Sequence, residues 1–154
     1  MSHTTTPVRT AVLMKLEEAF TSIPELKKVN LFHAVPDDLM AVELPALYLF
    51  EIQPEDRAYK NRVATAIMHL QAQVFVNMTL FDSHQSSFTD YYAFMDILAA
   101  RLHAAFHTNI GLSGGGLVNI VELQYDRIIT NNSVGVLNST FDVEYRHDRG
   151  NAFS

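Results

Sequence analysis

The stretch Val63–Val76, VATAIMHLQAQVFV, constrains this chain more than any other: Met68, Leu70, Ala72, Val74 and Val76 recur at every second position, with His69, Gln71 and Gln73 between them. A period of two belongs to a strand with one buried face. A helix of this sequence would scatter its apolar residues around the whole circumference, and Phe75 with the β-branched residues also favours extended backbone. The stretch therefore reads as a long central strand whose polar alternate positions face water or another subunit.

Two segments carry helical spacing instead. Thr4-Thr5-Thr6-Pro7 followed by VRTAVLMKLEEAF predicts a helix with a threonine cap and proline in its first turn, setting Val8, Ala11, Val12, Leu16, Ala19 and Phe20 on one side. It ends near Ser22, ahead of Pro24. The segment SSFTDYYAFMDILAARLHAAF predicts a second helix, capped by Ser87 or Thr89, with Phe88, Tyr91, Tyr92, Met95, Leu98, Ala99, Leu102, Ala105 and Phe106 in a broad apolar stripe. So aromatic a stripe belongs to a core.

Four further strands are expected. Val29–Val35 reads as an edge strand, and Leu44–Ile52, apolar on both faces, as a central one. Leu117–Thr130 alternates Val118, Ile120 and Glu122 against Asn119, Val121 and Leu123, with a bulge near Gln124–Arg127. Asn138–His147 points Phe141, Val143 and Tyr145 one way and Thr140, Asp142, Glu144 and Arg146 the other. Pro36-Asp37-Asp38, Asn77–Gln85, Ser113–Gly116 and Asn131–Ser133 with Gly135 read as turns or loops. Gln53–Arg62, the most charged stretch, reads as a long loop: either a solvated connection or a projecting arm that pairs with a neighbour. The expected fold is α+β, a mainly antiparallel sheet with two principal helices packed on it. A single domain spans 1–154, with 1–7 and 148–154 as flexible ends.

Nearly half of the 154 residues are apolar, enough for one packed core, and there is no cysteine to form disulfides, thiolate metal sites or nucleophiles. The first residues, MSHTTTPVRT, lack a signal-peptide apolar run, and no segment approaches the roughly 20 apolar residues of a membrane span. A soluble protein made in the cytoplasm is expected. The formal charge of −6 argues against a surface that grips phosphate backbones.

Chemistry is sparse. His103 and His107 sit at i and i+4 on the second helix, a spacing that can chelate a metal, but no third ligand lies near them in sequence, and histidines at a helix C-terminus are favoured by its dipole anyway. Asp90 and Asp96 do not converge on a helix. Ser113-Gly114-Gly115-Gly116 follows a helix and precedes a strand, the reverse of a phosphate loop. No nucleophile-elbow pattern is present. No catalytic residue, cofactor or metal is expected, and the protein reads as a non-enzymatic scaffold that touches other chains through its sheet and loops.

The order of elements resembles the tail terminator proteins of long-tailed bacteriophages, also called tail completion or head-to-tail joining proteins. The resemblance rests on the helix VRTAVLMKLEEAF, the strand LPALYLF, a charged connection into AIMHLQAQVFV, the helix around YAFMDIL and the closing FDVEYR. It implies a subunit of a hexameric ring at the head-proximal end of the tail. That ring binds the last ring of tail tube protein, stops its polymerisation and presents its other face to the head connector. An acidic lumen would let DNA pass without holding it. The family supplies no motif for contact residues. They are nominated from this sequence: Glu55, Asp56, Arg57, Lys60 and Arg62 for the arm, Glu144 and Arg146 for the charged strand face. The alternatives are another small oligomeric neck, tube or baseplate adaptor of a phage-like machine, or a small-ligand-binding α+β protein or enzyme.

Overall fold

The computed structural model describes residues 6–36, 43–77, 88–109, 116–129 and 134–153. The chain runs α1 (Val8–Thr21), β1 (Lys28–Leu31), β2 (Ala46–Lys60), β3 (Val63–Asn77), α2 (Phe88–Ala104) with a π-helical turn over Ala105–Asn109, β4 (Leu117–Ile129) and β5 (Val134–Asp148). The strands form one sheet in the order β1-β2-β3-β5-β4. β1 runs parallel to β2 and every other pair is antiparallel. The fold is thus α+β, as the two periodicities predict. No helix among the described residues is long and apolar enough to cross a membrane.

β3 lies inside the sheet, and its even positions from Ala64 to Val76 are all buried. The register carries that parity across: Met68, Leu70 and Val74 stand opposite Val143, Phe141 and Leu137 of β5, and Val74 stands opposite Leu47 of β2. These residues form one apolar cluster with Val12, Leu16 and Phe20 of α1 and Leu98, Leu102 and Phe106 from the α2 segment, so both helices cover the same face. Phe20, Phe106 and Phe141 meet at its centre with ring centroids 4.5–6.5 Å apart. A smaller cluster of Leu44, Ala46 and Tyr48, with Val35, Phe50, Phe75 and Val134, covers the start of β2 on the opposite face. This is why Ala46–Leu49 is buried on both sides.

Several expectations need correction. Gln53–Arg62 is not a loop: β2 continues to Lys60, and only Asn61-Arg62 separates it from β3. Two register shifts, between Glu51 and Gln53 and between Gln53 and Asp56, let the strand pass Pro54, and Asn61 takes the left-handed φ of 57° that asparagine tolerates. β1 is shorter than Val29–Val35, and β5 begins at Val134, so Gly135 belongs to a strand. The distortions of β4 fall between Leu117 and Asn119 and between Glu122 and Gln124, upstream of the expected bulge. Threonine does not cap α1. Pro7 is the N-cap without a side-chain bond, and the free N–H of Val8 donates instead to the Ala152 carbonyl at 2.8 Å. The turn at Asp37-Asp38, the loops 78–87, 113–115 and 131–133, the caps Ser87 and Thr89, and the side chains of Phe88, Asp90 and Tyr91 lie outside the described residues.

Candidate interaction surface

Beyond Glu51 and Leu70, β2 and β3 form a hairpin whose character differs from the rest of the sheet. β1 pairs only with Ala46–Leu49, so the outer backbone edge of β2 past Phe50 has no strand beside it among the described residues. β4 closes the other side of the sheet, and among the described residues it too pairs on one side only. Val121, Leu123 and Ile128 along β4, and Ile52, Tyr59 and Val63 along the hairpin, are exposed. Unpaired edges carrying apolar side chains are templates for pairing with another chain.

The register separates the nominated residues by face. Asp56 and Lys60 stand opposite Ile67 and Val63, and Glu144 and Arg146 stand opposite Ile67 and Thr65. All four therefore share the sheet face away from the helices. Arg57 stands opposite buried Ala66, on the helix side, and Glu55 joins it there. Arg62 lies in the turn, where its carbonyl accepts from the N–H of Arg149 at 2.6 Å.

Glu55 is occupied within its own subunit. One oxygen accepts from Arg9 of α1 at 2.9 Å; the other accepts from Tyr145 at 3.0 Å and pairs with Arg57 at 2.9 Å. Arg9 also pairs with Glu51. Burial, and then the Glu55 carboxylate, push the Tyr145 hydroxyl up to about 12, so it remains a donor. This cluster fastens the start of α1 to the root of the hairpin, and nothing in the spacing from Arg9 to Glu55 announces it.

On the open face His69 lies between two carboxylates. Its Nδ1 is 2.7 Å from Asp142 and its Nε2 is 2.7 Å from Asp56. Burial alone would lower the pKa of the imidazole, but the hydrogen bonds and charges of Asp56 and Asp142 outweigh it and raise the value. The cluster bridges β2, β3 and β5 where the second apolar cluster has run out. The signal in the sequence was a lone histidine among glutamines at the outward positions of β3, facing the outward Asp142 of β5.

His103 and His107 do meet a third ligating group. Glu122 of β4, at an inward position following Ile120, brings a carboxylate between them. Sequence distance conceals this, because the two elements become neighbours only in the fold.

No described protein family matches the chain, and no curated protein is significantly similar to it. A solved structure of the virion of a native gene transfer agent particle contains a chain with the same fold, at a TM-score of 0.52 and 16% identity. The likeness covers 96% of this chain and 100% of that one.

Proposed function

We propose that the protein is a structural component of a phage-like virion and acts there as a tail terminator. Subunits form a ring, a hexamer in the resemblance noted above, that seats on the last ring of tail tube protein, ends its polymerisation and offers its other face to the head connector. The observation that carries this reading is the end-to-end likeness of fold to a chain of a gene transfer agent virion, 96% of this chain against 100% of that one. Two sheet edges with no strand beside them among the described residues, and an open polar face, supply what a ring subunit needs, since identical chains joined head-to-tail close when the rotation permits. The mechanism requires no bond to be made or broken. A ring that occupies the growing end of a tube, and does not reproduce the tube's own surface on its far side, blocks the next addition. Catalysis has no part in it, and DNA passes the acidic lumen unheld.

The test is an elongation assay. Tail tube protein polymerising on preformed tube seeds is mixed with the purified protein, and tube lengths are measured by electron microscopy. A terminator arrests growth, with ring density at one tube end. Tubes that grow to full length with no protein at their ends would overturn the proposal. Rings found elsewhere on the particle would favour a neck or baseplate adaptor.

A further inference from the structure

The end of α2 meets the edge strand β4 through three side chains, His103, His107 and Glu122. His103 lies in the last turn of α2, and His107 in the π-helical turn that follows. Such turns are found frequently at functional sites. His103 Nδ1 is 2.7 Å and His107 Nε2 is 2.6 Å from the same oxygen, Oε1 of Glu122. The two rings lie 4.5 Å apart between centroids, tilted by 51°. The other oxygen, Oε2, accepts the hydroxyl of Tyr125, a half-buried phenol whose pKa is raised first by burial and then by Glu122. That hydroxyl fixes the carboxylate so that Oε1 faces the imidazoles, the role an outer hydrogen-bond partner plays around a metal. Glu122 is 14% exposed, whereas His103 and His107 are 62% and 49% exposed. The carboxylate is therefore held while the imidazoles can adjust.

We propose that His103, His107 and Glu122 bind a divalent transition-metal ion of the zinc class and so tie the end of α2 to β4. The donor set selects the class. Two imidazole nitrogens and one carboxylate oxygen suit zinc, cobalt or nickel, whereas magnesium and calcium require mostly oxygen ligands. The geometry is close to what is needed. The ligand atoms all lie within 4.8 Å of one another. Tetrahedral zinc at about 2.0–2.2 Å from each ligand sets them roughly 3.3 Å apart, so each imidazole nitrogen must move about 0.6 Å away from Oε1. The exposed side of the triad leaves a fourth position for water or for a ligand from a neighbouring molecule. Each imidazole hydrogen-bonds to the carboxylate, which keeps the ligands gathered.

Isothermal titration of the chelator-treated protein with zinc chloride tests the site, with magnesium chloride as the control cation. One zinc per chain is expected to bind in preference to magnesium, and zinc is expected to raise the melting temperature. H103Q, H107Q and E122Q should each weaken zinc binding by about tenfold or more. H33Q, which alters an exposed histidine elsewhere, should leave it unchanged. The histidine variants alter exposed side chains, and far-ultraviolet circular dichroism verifies their fold. Equal zinc binding by the parent and the H103Q/H107Q double variant would overturn the site, as would zinc binding no tighter than magnesium. Either result would leave a pair of hydrogen-bonded histidines at a helix end.

Discussion

The two halves of β2 pair with one strand, β3, and are held in different ways. From Ala46 to Leu49, β2 is buried on both faces, under helices on one side and the Tyr48 cluster on the other. Beyond Glu51 the strand is exposed at almost every position, and its partners are polar: Glu55 with Arg9, Arg57 and Tyr145, and Asp56 with His69. The bulges between Glu51 and Asp56 mark the boundary. One half is held by apolar burial, which tolerates no charge. The other is held by polar networks at the surface, individually weak, that leave its edge and outer face available to other molecules.

The largest effect is expected in the buried half. Leu70 is fully buried opposite Phe141, and Leu70→Asp places an unpaired charge there. A loss of about 4 kcal/mol or more, seen as an unfolded circular dichroism spectrum, is expected. A folded variant would contradict the burial of that face. Gly116 comes next. It has φ of +87°, and a Cβ there would stand 2.3 Å from Cγ1 of Val8 and 2.7 Å from the carbonyl oxygen of Arg146. Gly116→Ala should cost about 2–3 kcal/mol in urea unfolding. Adding Val8→Ala should recover part of that and no more, because the carbonyl contact and the φ remain.

The distal half should respond less. Glu55→Gln weakens the bonds to Arg9, Arg57 and Tyr145, and a loss of about 1–2 kcal/mol is expected. A change near zero would show that the hairpin root is held by packing alone. His69 makes the same half sensitive to pH. Its folded pKa is raised, so its stabilising contribution is complete below the ordinary histidine value of about 6.5 and is lost as pH climbs through the folded value above it. Urea midpoints should fall across that window in the parent, with the fall reduced in His69→Gln; parallel profiles would remove His69 from the account. The smallest change in stability, within about 0.5 kcal/mol, is expected for Lys60→Glu with Arg62→Glu. Co-sedimentation with tail tubes should nevertheless be lost. Retained binding would clear the hairpin tip of a contact role.

Legibility in the sequence followed the same division. The alternation of β3 and the stripes of both helices were readable because burial imposes a strict period, and Met95, Leu98, Leu102, Ala105 and Phe106 are buried as the spacing requires. The distal half of β2 was not. Its charges and Pro54 imitate a loop, and Asn61-Arg62 is a weak turn signal beside asparagine-glycine. A strand exposed on both faces has no need of apolar alternation, so no period records it. The polar clusters were concealed for a different reason. Glu55, His69 and Glu122 each bond to residues far away in sequence, and only strand register and helix docking bring those partners together.

Hydrogen exchange tests most directly the claim that this subunit works through its exposed sheet edges. Amides of the protein alone would be compared with those of the protein bound to tail tubes. Slowed exchange along the outer edge of β2 from Gln53 to Lys60 or along β4, with Ala46–Leu49 and Leu70–Val76 unchanged, is the predicted result. Identical exchange at both edges in the free and tube-mixed samples would contradict it.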